Sequence, residues 1–298
     1  MFRFLLCDWV VTRYCLLVIS GSFISCIFLS IVNPVTAAES VTLIMEGKTF
    51  SVTMPDGLCA IDTKNNEIEE FLFDQMKPLY EPQSHLLLLA LPCEAVYRLR
   101  NVEDELMDFV YSEWLVLYMP EGDIPQNINR ASYIAQSKIE LEKLDFSQFV
   151  NKINEKYSNG DSLVSSLGIS IGEISKVGRI ISDDNALYMN IGIVSRSPDG
   201  DTPIGAVMSS TLVNGVGPFA AIYQNIDQNF DFTMLHDRMK IFMEDMIARN
   251  GTNADVVEAT QSHWSSRFSS GIVGAFIGVV IFGGIAFFKL LIRTFRKN

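Results

Sequence analysis

"IGAVMSSTLVNGVGPFAAIYQNI", residues 204–226, sets Asn214-Gly215 between two apolar runs. Asn-Gly accepts positive φ at both central positions of a tight turn, so the runs on either side pair as adjacent antiparallel strands. Working upstream, residues 174–181 and 185–195 read as two more strands around "SDDN" (182–185), and "GDTP" (200–203) reads as a turn. The second half of the chain is therefore expected to be an antiparallel meander. Downstream, residues 231–249 predict a helix with Leu235, Met239, Phe242 and Met246 on one face. Asp231 is placed to cap its start and Asn250-Gly251 to stop it. Its methionines read as core filling.

The first half mixes the two periodicities. Residues 41–45 and 49–54 form a hairpin pattern around "EGK", followed by a Pro55-Asp56-Gly57 turn. Ile68, Phe71, Leu72, Gln75 and Met76 recur at helical spacing within residues 63–80. "HLLLLAL" (85–91) is apolar throughout, as a buried central strand would be, and Pro92 is expected to break it before a short helix over 93–101. "WLVLYM" (114–119) predicts another strand, and residues 130–157 predict two helices meeting near Asp145. About seven strands and four or five helices put the chain in the α+β class: an antiparallel sheet packed with helices in one domain.

Both ends have a different character. Arg3 and Arg13 precede an apolar run over 14–32, and Val35-Thr36-Ala37-Ala38 offers a small-residue cleavage site. That order is a secretory signal over 1–38. An uncleaved membrane helix is the competing reading, and a lipoprotein signal ending at Cys26 is disfavoured because apolar residues continue beyond it. At the other end, residues 271–288 are 18 consecutive residues without a charge, and 271–292 is expected to cross a membrane. Lys289, Arg293, Arg296 and Lys297 follow, and basic residues beside a span mark its cytoplasmic side. The expected organisation is a signal (1–38), an extracytoplasmic α+β domain (39–252), a juxtamembrane linker (253–270), a transmembrane helix (271–292) and a basic tail (293–298). Gly274 and Gly278 lie on one face of that helix, where small residues permit close helix–helix contact and hence a homodimer.

Residues 39–270 hold 34 of the 35 acidic residues and 17 of the 23 basic ones, a net charge of about −17. Such a domain lacks the basic footprint of a nucleic-acid binder. Once the signal is set aside only Cys59 and Cys93 remain, and an even pair in an exported domain predicts a disulfide; two buried thiols are the alternative.

"MPDGLCAID" (54–62), "LLLLALPCEAVYRLR" (86–100), "GRIISDDNALYMNI" (178–191) and "STLVNGVGPFAAIYQNI" (210–226) resemble an uncharacterised family of exported, membrane-anchored bacterial proteins. The order of hairpin, helix, strand, helices, antiparallel strands and final helix is similar to the PsbP/Mog1-type α/β sandwich. That resemblance implies an accessory or assembly role and carries no functional residues with it.

"LGISIGEIS" (167–175) holds Gly168-x-Ser170-x-Gly172, the spacing of a nucleophile elbow. An acid at Asp199 or Asp201 and a base at His236 follow in the chain order of the α/β hydrolases. The elbow needs a buried strand before the serine and a helix after it; polar "NGDSLVSS" and β-branched "EISKVGRIIS" supply neither. The three histidines, His85, His236 and His263, have no metal-binding spacing, and the acidic turns Asp183-Asp184-Asn185 and Asp199-x-Asp201 fall short of a calcium loop. No metal and no cofactor are expected, and Asn250-Gly251-Thr252 is a sequon only for a eukaryotic secretory route. The expected function is a non-catalytic binding, assembly or accessory module at the bacterial inner membrane, with a periplasmic domain and an envelope protein as partner. An exported serine hydrolase using Ser170 is the alternative. A signalling anchor is a third reading, weakened by the short tail.

Overall fold

The computed structural model describes residues 39–81, 83–101, 112–121, 128–158, 170–198, 200–228, 230–251 and 264–282. The expected signal, His263 and the basic residues Lys289, Arg293, Arg296 and Lys297 lie outside these residues. Among the described residues there are nine strands and six helices. In chain order they are β1 (Ser40–Met45), β2 (Lys48–Thr53), β3 (Leu58–Ala60), α1 (Glu67–Tyr80), β4 (Ser84–Pro92), α2 (Cys93–Asn101), β5 (Glu113–Pro120), α3 (Arg130–Glu142), α4 (Phe146–Ser158), β6 (Ser170–Ser182), β7 (Leu187–Ser197), β8 (Gly200–Ser210), β9 (Phe219–Asn225), α5 (Phe232–Asn250) and α6 (Trp264–Phe282). The fold is α+β, with antiparallel sheets and helices.

Seven strands form one sheet in the order β3-β4-β5-β9-β8-β7-β6, and every neighbouring pair is antiparallel. The meander expected for the second half is β6 to β9. Asn214 and Gly215 carry φ of 51° and 73°, and Val213 and Val216 exchange both backbone hydrogen bonds across that turn. Two expectations are corrected here. "GDTP" is the start of β8, paired with the end of β7, and β4 lies second from the edge rather than centrally. β4 reads as a buried strand because both its faces are covered, not because of its place in the order.

The covering is asymmetric. On one face Trp114, Val116 and Tyr118 of β5 and Phe219, Ala221 and Tyr223 of β9 pack under α1, α2, α3, α4 and α6. On the other, Leu115, Leu117, Val207, Ala220 and Ile222 pack under α5 and the separate β1–β2 hairpin. A strand buried on both faces loses the alternation of a half-exposed one, which is why β5 is apolar at nearly every position. The caps follow local chemistry: Asn66, Asn129 and Asp231 accept backbone N–H groups at the starts of α1, α3 and α5. Asp145 does the same for Ser147 and Gln148 at the start of α4.

Cys59 and Cys93 form a disulfide that ties the three-residue edge strand β3 to the start of α2. Its loop is closed further by the Cys93 N–H donating to the Gly57 carbonyl. α6 departs from the sequence expectation. Residues 264–270, expected in a linker, are helical, and the helix continues into the expected span as far as Phe282. Among the described residues no helix is long and apolar enough to cross a membrane.

Candidate functional site: a groove that holds an apolar helix

The central strands build an aromatic floor. In register across the β5–β9 pair, Trp114 faces Tyr223, Val116 faces Ala221 and Tyr118 faces Phe219. Trp114 and Tyr223 stack with ring centroids 5.1 Å apart and planes within 12°. Tyr118 and Phe219 pack at 6.0 Å, and Tyr80 of α1 leans on Tyr118 at 5.7 Å. Two aromatic pairs thus flank a low step of Val116 and Ala221. Such cross-strand pairs stabilise a sheet, and here they also shape its surface.

α6 lies on this floor, in contact with β4, β5 and β9 and touching α1 and α3. Gly271, Gly274 and Gly278, spaced to share one helix face, meet Phe219, Tyr118 and Tyr223 respectively. A Cβ at Gly271 or Gly274 would sit 2.6 Å from a ring carbon, and one at Gly278 would sit 2.5 Å from the Tyr223 hydroxyl. Only glycine lets the helix backbone come this close. Closeness is then used for hydrogen bonding. Ser84 Oγ donates to the Ser270 carbonyl at 3.1 Å, Tyr118 to Gly271 at 2.6 Å, and Tyr223 to Ala275 at 2.5 Å. A carbonyl has two lone pairs, so helix oxygens can accept these bonds beside their own. Ile272, Ala275, Phe276 and Ile277 complete the apolar contact.

Arg267 anchors the first turn of α6. Its side chain is 1% exposed and donates to the Gly217 carbonyl at 3.0 Å, with Met119 Sδ at 3.1 Å. Nearby, Tyr133 of α3 shares a 2.7 Å hydrogen bond with Ser210. Burial pushes the phenols of Tyr118 and Tyr223 well above the ordinary tyrosine range, and the Tyr133 phenol upward as well. These hydroxyls are neutral donors at any physiological pH. The arrangement grips backbone carbonyls of α6 through the hydroxyls of Ser84, Tyr118 and Tyr223.

The residues singled out from the sequence fall elsewhere. Ser170 begins the edge strand β6, opposite Arg196, and Gly172 is inside the same strand. His236 lies on α5, its ring 4.9 Å from that of Tyr188. Tyr188 and Arg196 are eight residues apart along β7, roughly 26 Å at a strand's rise, so Ser170 and His236 are not brought together. Asp201 pairs with Arg196 at 3.7 Å, and Asp199 lies outside the described residues. Asp183 accepts the backbone N–H groups of Asn185 and Ala186 and pairs with Lys240. His85 contacts Glu121 at 2.8 Å on the surface. Among the described residues, no three metal-ligating side chains gather.

Gly274 and Gly278, expected to meet a second helix, meet the tyrosines of the sheet. Tyr118, Tyr223, Ser84 and Arg267 escaped the sequence reading. The available signal was the aromatic–small–aromatic pattern on alternate positions of β5 (Trp114, Val116, Tyr118) and β9 (Phe219, Ala221, Tyr223). No known family matches this sequence, and a search of curated proteins finds no similar one.

Proposed function

We propose that the protein is an exported, membrane-anchored binding or assembly module without catalytic activity, and that its working surface is the groove on β5 and β9. The observation that carries this reading is the row of donors, Ser84, Tyr118 and Tyr223, on the backbone carbonyls of a glycine-faced helix. A groove that holds backbone selects for small residues at the contact face and for apolar residues beside it. It is indifferent to most other side chains. Single-pass segments of envelope proteins have that chemistry, as does α6 of a second copy. The domain layout's resemblance to the PsbP/Mog1-type sandwich, with its accessory and assembly roles, points the same way.

In this reading residues 1–38 direct export to the periplasm of a bacterium, and residues 271–292 span the inner membrane. The basic tail, with Lys289, Arg293, Arg296 and Lys297, stays cytoplasmic. The disulfide between Cys59 and Cys93 suits an oxidising compartment. The test uses the full chain inserted in lipid vesicles, so that its own residues 271–292 are in the bilayer, and a synthetic peptide of residues 264–282 bearing a photoreactive group. Crosslinks should fall on β5 and β9. A peptide with Leu at positions 271, 274 and 278 should give none. Equal labelling by both peptides, or labelling of neither strand, refutes the groove as a helix receptor.

A further inference from the structure

The groove's occupant, α6, shares an uncharged stretch of sequence of membrane-spanning length. Between Arg267 and Lys289 lie 21 residues, 268–288, without a charge. As a helix they measure about 32 Å at ~1.5 Å per residue, against a hydrocarbon core of ~30 Å. The groove contacts, Gly271 to Gly278, fall in the first half of this same segment. One stretch of chain therefore cannot fill the groove and cross a bilayer at once. From this overlap we propose that α6 exchanges between the groove and a lipid bilayer: the groove stores the chain's own span in the absence of lipid, and insertion of the span opens the groove. The proposal rests on the helix-receptor reading and adds its regulation by membrane.

Four further features fit the exchange. The two charges bracketing the uncharged segment would each have a place at a membrane interface, Arg267 outside and Lys289 inside. Extra positive charge beyond Lys289 orients the tail inward. The sheet's own polar contribution to the grip comes from hydroxyl groups. Hydroxyl donors such as Tyr118 and Tyr223 can turn to water when the helix leaves, whereas a buried ion pair would strand a charge. Residues 251–263 join α5 to α6, and 13 residues of chain have a contour of at most about 45 Å, a length that allows the helix to leave while the domain stays attached. Finally, a net charge of about −17 over 39–270 gives the domain no attraction to anionic lipid, so lipid acts through the helix alone.

The experiment reads both states in one sample. Full-length protein is treated with N-acetylimidazole in lipid-free buffer, and again after flotation with phosphatidylethanolamine–phosphatidylglycerol vesicles; acetylation of Tyr118 and Tyr223 is read by peptide mass spectrometry. The expected result is protection without lipid and about tenfold or greater labelling of both tyrosines in the floated fraction. Gly283→Asp places a charge within the uncharged stretch 268–288, five residues beyond Gly278. It should cut the floated fraction about fifty-fold while both tyrosines stay protected. Floated protein with Tyr118 and Tyr223 still protected overturns the exchange, as does wild type that fails to float. Vesicle-exposed tyrosines combined with no crosslinking of the α6 peptide would instead remove the receptor reading and leave the exchange standing.

Discussion

Gly274→Ala and Gly278→Ala test the groove through the sign of their effect. Alanine in place of glycine inside a helix normally stabilises by about 1 kcal/mol, because the unfolded chain has less freedom to lose. In α6 the added methyl would lie 2.6 Å from the Tyr118 ring at position 274 and 2.5 Å from the Tyr223 hydroxyl at 278. Relief requires a shift of about 1 Å, and forcing a methyl into a filled core costs roughly 1–3 kcal/mol. Lifting the helix also lengthens the Tyr223–Ala275 hydrogen bond, worth about 1 kcal/mol. The net expectation is a loss of about 1–3 kcal/mol for either variant. The pair should be less than additive, because both displace the same helix. Urea unfolding in lipid-free buffer, followed by circular dichroism, measures this directly. A fall in midpoint with an unchanged slope is the expected result. If either variant is as stable as wild type or more so, α6 does not sit on Tyr118 and Tyr223, and both the receptor and the exchange lose their basis.

Four other outcomes can be stated. Burial holds the folded-state pKa of Tyr118 and Tyr223 well above the unfolded value near 10, so their contribution is intact below about pH 10 and is lost as pH rises beyond it. Thermal unfolding across that window should steepen with pH, and a Tyr118→Phe/Tyr223→Phe double variant should flatten the dependence; an unchanged slope would refute the assignment. Replacing Cys59 and Cys93 with Ser releases a loop of sequence separation 34 and should cost about 3–4 kcal/mol in urea unfolding, a cost below 1 kcal/mol counting against the bond. Arg100→Ala leaves the fully buried Glu69 carboxylate with the Asp62 N–H as its main remaining donor. It should lose roughly 1–3 kcal/mol, toward the lower figure because the guanidinium is half exposed. Ser170→Ala should hydrolyse p-nitrophenyl esters at the wild-type rate, since the strand-borne serine lies opposite Arg196 and far from His236, and a lost activity would revive the hydrolase.

Local chemistry was legible wherever two or three neighbouring residues determine the outcome. Asn214-Gly215 forced its turn, Asp231 capped its helix, and the hairpin over residues 40–53 closed through Glu46 and Gly47, both at positive φ. Even the disulfide needed only the count of two remaining cysteines. Strand order was not legible in the same way. β9 pairs with β5 across more than a hundred residues, and nothing in "HLLLLAL" says that it lies one place from the edge. An apolar run reports that both faces are covered, without naming the covers.

The C-terminal helix has one face that suits two kinds of partner. Glycines at 271, 274 and 278 make one helix face thin, and a thin face suits any partner whose surface rewards close approach to the backbone. In a bilayer that partner is another helix. In this structure it is a pair of tyrosines, one on β5 and one on β9, whose hydroxyls reach the carbonyls that the missing Cβ atoms uncover. The two readings use identical residues, so periodicity and hydropathy cannot separate them. Arg267 can. A linker arginine beside a membrane has no reason to be buried, yet this one donates to the Gly217 carbonyl at the edge of the groove. Arg267→Ala should therefore weaken the docked state by removing a buried anchor. It should leave insertion of residues 268–288 unimpaired, because the uncharged segment is untouched. Tyr118 and Tyr223 should become open to acetylation even without lipid. If the variant keeps both tyrosines protected, the first turn of α6 is not what holds the helix down, and the grip must come from the glycine face alone.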